Sequence, residues 1–142
     1  MKKFILLLLV LIITCVTTTS AQNDDKFVNA LRSCSSAYHE SDTVNVNGIN
    51  ALSVKSLSGW KNNKCTYKET LKINGQNITT TCNFTKPQIE EIVSVADAYY
   101  LTQRYSKNSV DTSSLDAVKN NPLFNVLNKY LQNPSVCSMS EL

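Results

Sequence analysis

Apolar and polar residues alternate along the stretch from Leu52 to Phe84, which also contains two tight-turn signals. Such alternation is typical of strands with one buried face. Asn74-Gly75 predicts a β-hairpin, because both central residues of a type I′ turn need a positive φ angle. A turn centred there pairs the flanking strands as follows: Ile73 with Gln76, Leu71 with Ile78, Tyr67 with Cys82 and Cys65 with Phe84.

A second turn at Asn62-Asn63 predicts a meander of three antiparallel strands. It pairs Trp60 with Cys65, Val54 with Leu71 and Leu52 with Ile73. Since side chains alternate between the faces of a strand, one face is predicted to be apolar: Leu52, Val54, Trp60, Cys65, Tyr67, Leu71, Ile73, Ile78, Cys82 and Phe84. The other face is predicted to be polar: Lys55, Lys61, Lys64, Thr66, Lys68, Thr70, Lys72, Asn77, Thr79, Thr81 and Asn83.

The chain before the meander predicts a helix and an additional strand. Apolar residues recur at helical spacing from Asp24 to Tyr38, and Cys34 lies on the same stripe. Two acidic residues at the start suit the positive end of a helix dipole. Asn47-Gly48 lies among weakly alternating apolar residues and indicates a short fourth strand.

The chain after the meander is predicted to be helical. Thr85 and Gln88 have the spacing of a capping box, and the helix that they begin is predicted to run to Tyr105 and to cover the apolar face. A short helix is predicted around Leu115, and another between Asn121-Pro122 and Asn133-Pro134. The predicted class is α+β, with an N-terminal helix, an antiparallel meander of three or four strands, and two or three helices on one sheet face.

The first residues have the pattern of a cleaved signal peptide. Lys2-Lys3 precedes an apolar run that is shorter than the ~20 residues needed to span a bilayer, and small residues end at Ala21. We therefore expect a signal peptide over 1–21, one domain over 22–142, and secretion or export to the periplasm. Contact with the membrane is expected only through this peptide or, as an alternative, through a lipid on Cys15.

The 121 residues after the predicted signal peptide contain twelve basic and eleven acidic side chains. Their net charge is therefore close to zero and does not indicate a particular kind of partner. An even number of cysteines in an exported chain predicts two disulfides, and no CxxC pair or histidine cluster indicates a metal site or a cofactor. A Cys65–Cys82 bridge stays possible if a bulge brings these diagonal neighbours closer, but two pairings that join a helix or the tail to the sheet are favoured, with no choice between them. They are Cys34–Cys65 with Cys82–Cys137, and Cys34–Cys82 with Cys65–Cys137.

Candidate chemistry is sparse. Glu69 is placed on the apolar face beside Ser56 and Thr80, where a carboxylate of raised pKa can act as an acid or base. A hydrolase using Glu69 and His39 is therefore an alternative, although no nucleophile motif accompanies them and no catalytic residue is assigned. A small apolar ligand between sheet and helix is another alternative, with Trp60, Tyr67, Glu69 and Tyr100 facing it.

Lysines dominate the polar face of the predicted sheet, and no acidic residue accompanies them: Lys55, Lys61, Lys64, Lys68 and Lys72. Such a face can attract an anionic surface polymer, and it also keeps an exposed sheet from aggregating. Without interleaved aromatic residues, specific recognition of nucleic acid is not expected. We predict a non-catalytic binding or envelope domain, with an anionic polymer or another exported protein as its partner.

Two N-x-Thr sequons lie on the same polar face, at Asn77 and Asn83. They accept a glycan only in a cell that has the required transferase.

Overall fold

An antiparallel sheet of five strands is the centre of the fold. The computed structural model describes residues 21–46, 48–105 and 120–141. In chain order the elements are α1 (Ala21–Ser33), β1 (His39–Val46), β2 (Ile49–Lys61), β3 (Lys64–Ile73), β4 (Gln76–Thr85), α2 (Lys86–Tyr105), α3 (Pro122–Leu131) and β5 (Cys137–Glu141). The strands follow one another across the sheet in the order in which they occur along the chain.

Both predicted hairpins are present. Asn62, Asn63, Asn74 and Gly75 all have positive φ angles, which is the backbone geometry that these turns require. The β3–β4 register agrees with the prediction along its whole length, and Trp60 pairs with Cys65 as expected.

The predicted register between β2 and β3 is wrong beyond Trp60. A β-bulge lies between Leu57 and Trp60, so Val54 pairs with Thr70 and not with Leu71. Gly59 supports this bulge with a φ angle of 78°, a conformation that L side chains rarely adopt. One extra residue moves every preceding side chain of β2 to the opposite face of the sheet.

The sheet has two more strands than the meander. The short strand predicted around Asn47-Gly48 is the eight-residue β1, which begins at His39. The fifth strand, β5, was not predicted, because five residues are too few to show alternation. Cys137 begins it and lies directly opposite Cys82.

Local capping residues set the helix ends. α1 ends at Ser33, earlier than the predicted Tyr38, because the next residue, Cys34, has a φ angle of 49°. The predicted start of α2 is confirmed, since the Gln88 side chain accepts a hydrogen bond of 2.8 Å from the backbone N–H of Thr85. α3 begins after Asn121, whose side chain accepts from two backbone N–H groups of the first turn.

The main core cluster joins residues of all three helices with the inner face of the sheet, which we define as the side bearing Cys65, Tyr67, Cys82 and Phe84. A smaller cluster of Ala51, Leu71 and Ile78 lies at the other end of the same face. The predicted signal peptide (1–20 of its 1–21), the alternative lipid site at Cys15 and the predicted short helix around Leu115 lie outside the described residues.

One disulfide ties a helix to the sheet, and a second joins two neighbouring strands within it. They are Cys34–Cys65, which ties the end of α1 to β3, and Cys82–Cys137, which ties β4 to β5. This is the first of the two predicted pairings. Disulfides of this kind are typical of chains that fold in an oxidising compartment.

A polar contact connects α2 with α3. Lys129 Nζ lies 2.8 Å from Glu91 Oε1, and the Tyr130 hydroxyl donates to the same carboxylate. The hydrogen bond from Lys129, followed by that from Tyr130, lowers the pKa of Glu91 below its ordinary 4.5. A carboxylate whose pKa is lowered by folding stabilises the fold above its unfolded pKa and loses this contribution as the pH falls through the folded value.

Removing either disulfide should lower the free energy of unfolding by about 2–5 kcal/mol, because the unfolded chain gains freedom. The measurement is denaturant unfolding of Cys→Ala pairs. Peptide mapping of the intact, unreduced protein should recover Cys34 linked to Cys65 and Cys82 linked to Cys137. Two titratable thiols among these four cysteines would contradict this arrangement.

Glu91→Gln should reduce stability at neutral pH, and its difference from the wild type should shrink as the pH falls below 4.5. Urea unfolding over a pH series measures this difference. Glu90→Gln is the matched control, because Glu90 is an exposed neighbour on α2 that is absent from this contact. A constant difference across the series would show that the Glu91 carboxylate contributes nothing through its charge.

Candidate functional site

The outer face of the sheet, opposite the inner face, carries four exposed lysines: Lys61, Lys64, Lys68 and Lys72. Three of them lie on the central strand β3 at four-residue spacing. Lys68 pairs with Ser56 on one side and Thr81 on the other, so hydroxyl groups surround its base. His39 lies beyond Ser56 on the same face.

Charges are sorted across the sheet. Every acidic residue on the described strands shares the inner face, as the register shows for Glu40, Asp42, Glu69 and Glu141. The outer face has hydroxyl and amide side chains between its lysines, together with half-buried Val54 and the exposed Leu52. The acidic residues of the strands and the exposed strand lysines therefore lie on opposite faces of the sheet.

Lys55 is the exception, and its predicted place on the outer face is wrong. The bulge at Gly59 turns this side chain to the inner face, where it is only 8% exposed and lies directly opposite Glu69. The same shift moves Leu52 and Val54 from their predicted inner positions to the outer face. Four lysines, not five, remain outside.

Glu69 is buried, with 4% of its surface exposed, and belongs to a polar row that crosses the inner face between the two apolar clusters. Its carboxylate accepts hydrogen bonds from Ser53 Oγ at 2.8 Å and from the Tyr67 hydroxyl at 3.0 Å. The predicted neighbour Ser56 lies on the outer face because of the bulge, Lys55 takes its place opposite Glu69, and Ser53 is the serine that contacts the carboxylate. These contacts hold the carboxylate in a fixed, polar setting within the apolar face.

The structure does not bring Glu69 and His39 together. His39 pairs with Ser56 on the outer face, whereas Glu69 lies on the inner face. A catalytic base must lie within hydrogen-bond reach of its partner groups. The geometry therefore gives no support to a hydrolytic site built from these two residues.

The predicted ligand-facing aromatic residues are separated as well. Tyr67 and Tyr100 are buried in the main core, and the Tyr67 ring packs 5.3 Å from that of Phe27. Trp60 is 45% exposed and lies outside that cluster. The three rings do not line one gap, so nothing here favours an apolar ligand between sheet and helix.

Trp60 instead lines a groove of about 630 Å³ between α1, α2 and the end of β2. Its other lining residues are Arg32, Ser33, Lys86, Ile89, Glu90, Val93, Ser94 and Asp97. Arg32 Nη2 bridges to Asp97 at 2.8 and 3.0 Å across this groove. Apart from Trp60, sequence reasoning assigned no binding role to these residues, because no local pattern reports that positions 65 residues apart will meet.

The two sequons differ in their surroundings. Asn77 is half-buried next to the β3–β4 turn. Asn83 is also half-buried, and its Oδ1 accepts a 2.7 Å hydrogen bond from Thr66 Oγ1. Among the residues that the structure describes, no group of three or more His, Cys, Asp or Glu side chains is arranged to hold a metal ion.

Lys55→Met should cost about 3–5 kcal/mol, because it removes the cation that lies opposite the buried Glu69. Glu69→Gln should cost less, because Glu40 still lies opposite Lys55 on its other side. The double variant should cost less than the sum by about 0.5–3 kcal/mol, as expected for neighbours that interact directly. Denaturant unfolding of the four proteins measures this coupling. Lys68→Met, on the outer face of the same sheet, should change stability by less than about 0.5 kcal/mol, and strictly additive costs would refute the pair.

Comparison of the chain with protein-family models, curated proteins and solved structures gives no match. None of the helices in the described part of the chain is long and apolar enough to cross a membrane. Since a fold alone does not define an activity, the function depends on what these surfaces can bind.

Proposed function

We propose that the protein is an exported, non-catalytic binding domain whose outer sheet face docks onto an anionic polymer of a cell surface or envelope. The observation on which this proposal rests is the distribution of charge: four exposed lysines lie on the outer face, and the acidic residues of the strands lie on the inner face. A face of one sign raises the local concentration of oppositely charged partners.

The placement of the lysines favours docking over a purely protective role. Lysines that prevent aggregation are needed at the edges of a sheet, where backbone groups are unpaired. Here the edges are β1 and β5, whereas Lys64, Lys68 and Lys72 lie on the central strand. Protection of the edges does not account for this position.

The spacing of these lysines suits an extended polyanion. Four residues of an antiparallel strand span about 13–14 Å, which exceeds the Debye length of about 8 Å at physiological salt. The three ammonium groups therefore repel one another weakly, and a linear polymer with closely spaced charges can contact all of them. Hydroxyl and amide groups between them, such as those of Thr70 and Asn77, can add hydrogen bonds.

The two disulfides support the exported setting. They are typical of chains that fold outside the reducing cytosol, and the first residues have a signal-peptide pattern. Lipopolysaccharide and teichoic acid are anionic polymers of such surroundings.

Lys68→Glu combined with Lys72→Glu should weaken binding to dextran sulfate more than about 20-fold at 0.1 M salt. The logarithm of the binding constant falls by about 0.7 per ionic contact for each tenfold rise in salt concentration. Each contact therefore contributes about a fivefold factor in affinity between 1 M and 0.1 M salt. Wild-type affinity should also fall steeply with salt. Calorimetry or biolayer interferometry gives the affinities.

Two controls separate this site from net charge. Lys26→Glu with Lys86→Glu changes the charge equally at exposed positions outside the outer face, and it should weaken binding far less. Uncharged dextran should not bind at this face. Equal loss in both double variants would show that net charge, not the outer face, attracts the polymer.

A further inference from the structure

The groove beside Trp60 is a concave site with a polar rim, and none of the outer-face lysines lines it. Its floor is apolar, with Ile89 only 3% and Val93 only 6% exposed, whereas the indole of Trp60 remains 45% exposed. The volume of about 630 Å³ lies within the roughly 300–1,000 Å³ of ordinary ligand clefts. We propose that this groove binds a neutral saccharide, with one sugar ring stacked on Trp60.

Several independent constraints hold Trp60 at the groove. It follows directly on the bulge at Gly59, and bulges re-aim the side chains beside them. It pairs with Cys65, whose disulfide to Cys34 fixes the end of α1. A Cβ at Gly59 would lie 3.4 Å from Ser36 Cβ, so the bulge itself packs against the turn after α1.

The opposite wall is also held in place. The two hydrogen bonds between the Arg32 guanidinium and the Asp97 carboxylate link α1 to α2 across the groove. Both hydrogen bonds come from the one nitrogen Nη2, and the two side chains are 51% and 49% exposed. This ion pair therefore joins the two helices at the surface of the groove and leaves its polar groups within reach of a ligand.

The charges of the rim select a neutral ligand. Arg32 and Lys86 are balanced by Glu90 and Asp97, so neither an anion nor a cation gains from the local field. Carboxylates accept and guanidinium groups donate hydrogen bonds. A ligand with both hydroxyl donors and acceptors can satisfy both kinds of group.

The shape of the site favours a sugar over a peptide. A pyranose has a face of C–H groups that packs on an indole, and hydroxyls at its edges that reach the side chains of Glu90, Ser33 and Ser94. A peptide that binds by strand addition needs a free strand edge. The edges of this sheet are β1 and β5, whereas the groove lies at the end of β2.

The sole tryptophan of the chain makes the test direct. Titration with chitotetraose, cellotetraose, maltotetraose and mannotetraose should shift or quench the Trp60 emission for at least one of them, with a Kd of about 1 mM or tighter. The same sugar should protect the indole from acrylamide quenching. No response to any of the four would overturn the proposal.

Substitutions of Trp60 test whether the sugar binds in the groove. By calorimetry, Trp60→Ala should weaken binding at least about tenfold and Trp60→Phe less, because a smaller ring keeps part of the stacking. Leu101→Ala is the matched control, since Leu101 is an exposed apolar residue of α2 that does not line the groove. Near-ultraviolet circular dichroism verifies folding of each variant, and unchanged affinity in a folded Trp60→Ala protein would refute the site.

The saccharide proposal and the polyanion proposal can be tested independently of each other. Neutral sugar binding should be insensitive to salt and should survive Lys68→Glu with Lys72→Glu, whereas dextran sulfate binding should survive Trp60→Ala. Loss of sugar binding on reversal of the outer lysines would contradict a groove that acts on its own.

Discussion

A buried carboxylate needs an opposite charge or hydrogen-bond donors, and the surroundings of Glu69 are the constraint around which the sheet is arranged. In the unbulged register, Glu69 would stand on the inner face while Lys55 faced solvent. An uncompensated charge in an apolar face costs several kcal/mol. The bulge at Gly59 brings Lys55 to the inner face, directly opposite Glu69 on β3 and Glu40 on β1, and Ser53 and Tyr67 donate hydrogen bonds to the Glu69 carboxylate.

The same bulge shapes both candidate surfaces. By removing Lys55 from the outer face, it leaves the lysines concentrated on β3 and at the adjoining hairpin. Trp60, directly after the bulge, keeps its predicted pairing with Cys65 and lines the groove between α1 and α2. The bulge therefore sets which lysines lie on the outer face and adjoins the groove, although the two surfaces lie on different sides of the sheet.

Covalent links hold this arrangement where packing alone is weakest. Cys34–Cys65 fixes the end of α1 beside the bulge, and Cys82–Cys137 fixes the short β5 to β4. A five-residue strand at the edge has few side chains to bury. A domain with a rigid sheet and stapled ends suits a binding role, because a preformed surface loses little entropy when its partner docks.

The sequence by itself determined the hairpins, the starts of α2 and α3 and the α+β class, because these depend on contacts between residues close in the chain. Asn74-Gly75 specifies its turn, and Thr85 with Gln88 specifies the start of α2. Only the tertiary structure decided which side chains of β2 lie on the inner face, which disulfide pairing forms, and which residues line the groove. Alternation cannot count the extra residue of a bulge, for which Gly59 was the one local signal, and no pattern reports that Arg32 meets Asp97. Contacts between residues far apart in the chain settled those questions.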